Sequence, residues 1–144
     1  MIEWSLPLEV VSPNRKEHWS KTHKRNQRNL QWLQACWIKT EPKPQFPLVV
    51  RFDRHHRSNY RRFDDDDNLR TAYKFIKDKV ADFILPGLRP GKADGDPRFT
   101  FHYIQTLDKS IAPLNSTTHI IIATPDEYEG YIQTESLREL GYIT

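Results

Sequence analysis

"DDDDNLRTAYKFIKDKVADF", Asp64 to Phe83, joins four consecutive carboxylates to an apolar periodicity. Leu69, Tyr73, Ile76, Val80 and Phe83 recur at spacings of three and four, the stripe by which an amphipathic helix seats on a core. Asp67 and Asn68 are residue types that cap helix N-termini, so the helix is expected to begin there. "LPGLRPGKADGDP" then ends it. Four adjacent negative charges repel one another. Either they form a solvated loop, or the helix start gathers them around a divalent cation. Mg2+ takes few carboxylates and keeps several waters, and Asp65 and Asp67, two apart on extended chain, project to the same side.

Upstream, "IEWSLPLEVV" alternates: Ile2, Trp4, Leu6, Leu8 and Val10 against Glu3, Ser5 and Glu9, which predicts a half-buried strand. From about Ser20 to Lys39 neither proline nor glycine intervenes, and Leu30, Leu33 and Trp37 should seat a helix on the core. The first half of that helix differs, because Lys21, Lys24, Arg25 and Arg28 share one broad basic face. "TEPKPQFP" breaks it, and "LVVRFD" follows as a strand with Leu48, Val50 and Phe52 on one face. "HHRSNYRR" reads as a polar, basic loop or hairpin.

Downstream, "RFTFHYIQTL" alternates as a strand, and "THIIIAT" is a continuous apolar run, expected to be a central strand buried on both faces. Residues 125–144 form an acidic tail with one short helix expected around Ser136–Leu140, stopped by Gly141. The order β-α-β-α-β-β predicts a single α+β domain over residues 1–144, a small mixed sheet with two main helices packed on it.

Composition narrows the function classes. Apolar residues at 37% and aromatics at 12% suffice for a core and exclude a disordered chain. No stretch approaches the ~18 apolar residues of a membrane span, and the N-terminus lacks a signal-peptide pattern. The single cysteine, Cys36, excludes an internal disulfide and a cysteine zinc site. A cytoplasmic protein without membrane association is therefore expected. Charge is unevenly spread: in residues 1–62, 13 Lys+Arg against 5 Asp+Glu give +8, and in residues 63–144, 9 against 14 give −5. A basic half joined to an acidic half suits a protein that grips phosphates with one and a metal with the other; a solvated surface can show the same asymmetry.

Several motifs fail. An EF-hand loop beginning at Asp64 would need Gly and Glu where Leu69 and Phe75 stand. No P-loop sequence is present. His55 and His56 lack zinc-ligand spacing and partners and read as part of a phosphate-binding or solvated loop. "KADGDPRF" places Asp94 and Asp96 just before a strand, where they can return toward the first cluster or simply make a turn. Lys74, two helical turns past Asp67, either faces the cluster or pairs with Asp78 on the surface.

Taken together, "DDDDNL…K…D…DGDPRF…Q" resembles the RusA-type Holliday-junction resolvases of phages and prophages, over roughly residues 2–125. Asp65, Asp67 and Asn68 match that family's D-x-D-N signature at a helix start, Lys74 and Asp78 its helical pair, and "ADGD" with Gln105 its acidic loop and following strand. "SPNRKEHW" and the basic helix resemble its opening. Lys74 stands six residues after the asparagine where the founding pattern has three, which brings Arg70 into consideration. The downstream loop has Ala93 before Asp94 where the family often has adjacent aspartates. The resemblance implies a RusA-like fold and a homodimer that makes paired nicks in four-way junctions during recombination and repair. It implies one or two Mg2+ ions (Mn2+ substituting) held by Asp65, Asp67 and Asp94, with Asp96 close behind, and Lys74 stabilising the pentacovalent transition state. Asn14, Lys21, Arg25, Arg28, Arg61 and Arg62 would contact the DNA backbone. The alternatives are a structure-tolerant DNA endonuclease, a non-catalytic DNA-binding protein of the same fold, and an acidic-loop Ca2+ module.

Overall fold

The computed structural model describes residues 1–13, 15–57, 63, 66–112 and 116–144, with the backbone alone described at Asp66 and Asp67. Four strands, β1 (Ile2–Leu6), β2 (Leu48–His56), β3 (Phe99–Leu107) and β4 (Ser116–Ala123), form one sheet in the order β1-β4-β2-β3. The helices are α1 (Trp19–Lys39), α2 (Asp66–Ala72), α3 (Lys74–Ile84) and α4 (Pro125–Glu139), with a single 3-10 turn at Ala93–Gly95. β2 and β3 run parallel; the other two pairs are antiparallel. A parallel pair cannot be closed by a hairpin, and here α2, α3 and the 3-10 turn make the crossover. The protein is α+β, with a four-stranded mixed sheet.

One face of the sheet carries the apolar core. Leu48, Val50, Phe52, Ile120 and Ile122 pack in one buried cluster with Leu33, Leu69, Tyr73, Ile76 and Val80. Phe52 is central, its ring centroid 5.5 Å from that of Tyr73 and 5.6 Å from that of Tyr103. The expected helical stripe is thus the buried one, except that Phe83 is half-buried. In α1, Leu33 is buried, Leu30 and Trp37 are half-buried, and Asn29 joins Leu33 inside. Asn29 is satisfied there by Glu9, donating to its carbonyl (2.8 Å) and accepting from its amide (3.0 Å).

Four features depart from the sequence reading. β1 stops at Leu6, where Pro7 removes a ladder donor, although Leu8 is buried as its alternation requires. His55 and His56 extend β2 rather than opening a loop. The helix after the acidic run is divided at Tyr73 (φ −89°, ψ 1°). The break coincides with an anchor, because the buried Tyr73 hydroxyl lies 2.6 Å from Thr118 Oγ1 on β4.

The tail, finally, is one helix of 15 residues rather than a short one near its end. "TPDE" starts it: Thr124 Oγ1 accepts from the Glu127 amide, Glu127 returns the bond to the Thr124 amide, and Pro125 sits just inside. α4 has no buried residue and covers the second sheet face through polar contacts. Arg51, on β2, donates to both carboxylate oxygens of Glu135 (2.9 and 3.3 Å) and lies over the rings of Tyr128 and Tyr131. No helix among the described residues is long and apolar enough to cross a membrane.

Candidate functional site

β3 is the wall on which the chemistry-bearing segments meet. Its inward residues Phe101, Tyr103 and Gln105 alternate, as the pleat requires. Gln105 ties down Phe63, the residue just before the acidic run: its Oε1 accepts from the Phe63 amide (2.9 Å) and its Nε2 donates to the Phe63 carbonyl (3.2 Å). Arg70, from α2, lies 5.6 Å from the Tyr103 ring. The Tyr103 phenol is pushed up to about 12, chiefly by burial; Arg70 opposes the shift, and Asp94 and Asp78 add to it. Charges from α2, α3 and the 3-10 turn therefore converge on one tyrosine.

Asp94, in the 3-10 turn, accepts an ion pair from Lys77 of α3 at 3.1 Å, and both side chains are largely shielded. Lys77 also lies over the Phe101 ring at 5.5 Å. Asp78 is held one residue further along α3. Its Oδ1 is buried with no hydrogen-bond partner among the described residues. Burial raises the Asp78 pKa above its ordinary 3.8, and the negative charge of Asp94 raises it further, against Lys74 and Lys77. Asp78 and Asp94 both offer carboxylate oxygens, the donor type that hard divalent cations such as Mg2+ or Mn2+ take.

A pH dependence follows from Asp78. Its folded-state pKa is raised, so the folded protein holds this proton more tightly than the unfolded chain. The group therefore lowers stability as pH rises from its ordinary value through the raised one, and the penalty is complete above that. Asp78→Asn should match the wild type in thermal midpoint at acid pH and exceed it at neutral pH, in metal-free buffer. A difference that does not change with pH would mean that the carboxylate is not strained by burial.

The residues singled out from sequence fall into three groups. Asn14, Arg61, Arg62 and Asp65 lie outside the described residues, and Asp67 is described only as backbone in the first turn of α2. Asp94 is brought against Lys77, and its negative charge acts on Asp78. Lys74 is 67% exposed and lies 3.4 Å from Asp78, the i, i+4 pair that was one of its two readings. Asp96 turns elsewhere: the Arg98 amide and Nε donate to its Oδ1, and Nη2 donates to its Oδ2. Those bonds hold Asp96 down at about 2 and fix the turn into β3.

On α1, Arg25 pairs with Glu17 behind a shield that leaves both side chains about one-tenth exposed (12% and 10%). Arg28 forms an exposed pair with Glu9 at 2.7 Å. Lys21 and Lys24 share with them the walls of a cavity of about 210 Å³. A larger groove, about 470 Å³, runs between α1 and the α2–α3 junction, with Arg25, Asn26, Lys74 and Asp78 among its walls. It connects the basic helix to Asp78.

Sequence reasoning missed Lys77, which is adjacent to Asp78 and carries no motif of its own. It also left His55 without partners, and this is corrected: Asp53 lies 3.2 Å from its Nε2 and Asp108 3.0 Å from its Nδ1. The bond to Asp53, against the cost of burial and with help from Asp108, raises the His55 pKa to about 9. The D-x-H alternation on a strand was the available signal.

Compared with family models, curated proteins and solved structures, the chain matches none.

Proposed function

We propose that this protein is a Mg2+-dependent endodeoxyribonuclease of the cytoplasm that resolves four-way DNA junctions by paired nicks, acting as a homodimer. The supporting observation is the groove that joins the basic side of α1 to Asp78, whose Oδ1 is buried with no hydrogen-bond partner among the described residues and which feels the negative charge of Asp94. Asp78 and Asp94, with Asp65 and Asp67 from the acidic run, would hold the ion. When bound, the ion supplies an activated water and shields charge developing on the phosphodiester. Lys77 orients Asp94. Lys74, exposed at the groove, reaches a phosphate oxygen by exchanging its weak pairing with Asp78. Lys21 and Arg28, with Asn14, Arg61 and Arg62, contact backbone phosphates, which fixes position without reading sequence. A two-fold dimer matches a junction's two equivalent strands.

The test is a labelled four-way junction beside a matched duplex, each with Mg2+, Mn2+, Ca2+ or chelator. Paired nicks in the junction with Mg2+ or Mn2+, binding alone with Ca2+ and no cleavage in chelator are expected. Equal cutting of the duplex favours a structure-tolerant endonuclease. Binding without cleavage under every condition leaves a DNA-binding protein of the same fold.

Salt dependence resolves the basic face further. Lys21→Ala with Arg28→Ala should flatten the log–log dependence of junction affinity on salt by about 0.9 for each phosphate no longer neutralised. Arg25→Ala should leave the slope unchanged, because its charge is already spent on shielded Glu17. Equal effects of all three would place Arg25 on the DNA.

A further inference from the structure

The second sheet face, beneath α4, carries a separate cluster. We propose that Asp53, His55 and His119 form a binding site for a borderline-soft divalent cation of the Zn2+ class, on the side of the sheet opposite Asp78 and Asp94. One potential ligand atom from each of the three residues lies within 4.8 Å of the other two. Their placement follows from the pairing of the two inner strands. Asp53 and His119 are register partners across β2 and β4, and His55, two residues beyond Asp53, returns to the same face. The ligands thus stand on paired strands rather than on loops.

The local geometry suits a tetrahedral ion. His55 Nε2 and Asp53 Oδ2 are 3.2 Å apart. Ligands at about 2.0–2.1 Å from zinc stand ~3.3 Å apart along a tetrahedral edge. Both residues are also oriented from behind. Asp108 Oδ2 lies 3.0 Å from His55 Nδ1, the carboxylate–imidazole arrangement that fixes a liganding ring and raises its basicity. Asp108 is held in turn by the amide and hydroxyl of Ser110. Thr106 Oγ1 donates to the Asp53 carboxylate (2.8 Å to Oδ1, 3.1 Å to Oδ2) and sets its plane.

Charge around His119 is mixed: Glu3 and Asp53 act on it as negative charges, and His55 and Arg51, the latter paired with Glu135, as positive ones. The three ligands border a cavity of about 430 Å³ between the sheet and α4, also lined by Tyr128, Tyr131 and Glu139. Three protein ligands facing a cavity leave a fourth position for water or a small anion, as in zinc sites that act on a ligand rather than brace a fold. Two imidazoles favour Zn2+, Cu2+ or Co2+ over Mg2+, so this site and the carboxylate site on the other face select different ions. Loading exchanges the proton that His55 Nε2 shares with Asp53 for the metal.

The test uses the full chain, stripped with chelator and titrated with Co2+. A visible ligand-field band should saturate at one equivalent and disappear on adding Zn2+. His119→Gln should abolish it; this change leaves the Asp53–His55–Asp108 chain in place, and an unaltered unfolding midpoint in chelator verifies the fold. Asp108→Asn should weaken Co2+ about 10- to 100-fold without changing stoichiometry. Asp94→Asn should bind as the wild type does, which keeps this inference separate from the proposed nuclease site. No band in the wild type, or a band that survives His119→Gln, overturns the proposal and leaves the three residues as a hydrogen-bonded ion cluster.

Discussion

Asp94→Asn is expected to lower Mg2+-supported junction cleavage by about 10²–10³-fold, the order of losing one electrostatic stabiliser of the developing charge, because it weakens the hold on the ion that would supply it, while junction binding is kept or tightened. The amide preserves the side chain's volume and the 3-10 turn. It removes one of the two shielded negative charges and ends the ion pair with Lys77. Less negative charge near the phosphate favours binding, so affinity and rate should move apart. Asp96→Asn is the control. Its carboxylate is already engaged by Arg98, so its loss should be felt in the turn's stability and hardly in the rate. The two variants, compared in single-turnover cleavage and in gel-shift affinity with Ca2+, decide between the downstream aspartates. An inactive Asp96→Asn beside an active Asp94→Asn would reverse the assignment.

Phe52→Ala is expected to cost about 3–5 kcal/mol, the range for deleting a fully buried aromatic side chain. Phe52 has no exposed surface, and its ring is stacked with Tyr73, Tyr103 and Phe101. The surrounding strands are paired on both sides, so the cavity cannot close by local collapse. Against a total stability of about 5–15 kcal/mol for a domain, this is a large fraction. In urea the midpoint should fall with an unchanged slope. Cleavage should suffer even where the variant remains folded, because Tyr103 backs the meeting point of Arg70, Asp78 and Asp94. A midpoint lowered by less than about 1 kcal/mol equivalent would mean that the aromatic stack is replaceable and that the core's rigidity lies elsewhere.

The acidic run itself illustrates what could be read locally. Its position at a helix start, the apolar stripe behind it and the helix-ending "LPGLRPG" were all visible because each depends on spacing within a few residues. The basic face of α1 was visible in the same way, but its function was not. Glu17 and Glu9, which precede α1 and lie off its helical wheel, come back in space to pair with Arg25 and Arg28. Charges counted along a sequence therefore overstate the positive face that the helix leaves free. Asp96 has a partner that spacing alone did not show for a related reason, since an aspartate two residues before an arginine can close on it, as this one does.

What the sequence alone determined was the set of elements and their buried sides. Periodicities of two and of three to four are imposed by backbone geometry, and burial then selects one face; Leu69, Tyr73, Ile76 and Val80 could be assigned before any tertiary contact was known. The tail was also legible in principle, since "TPDE" is a helix-start signal within four residues. What only the tertiary structure decided was which polar groups meet. Strand order β1-β4-β2-β3 makes Asp53 and His119 neighbours across 66 residues of chain, and the α2–α3 crossover brings Asp94 beside Asp78. Neither juxtaposition leaves a trace in local spacing, because a side chain's partners are set by the pairing of strands and the route of a crossover, and both minimise the free energy of the whole chain rather than of any segment.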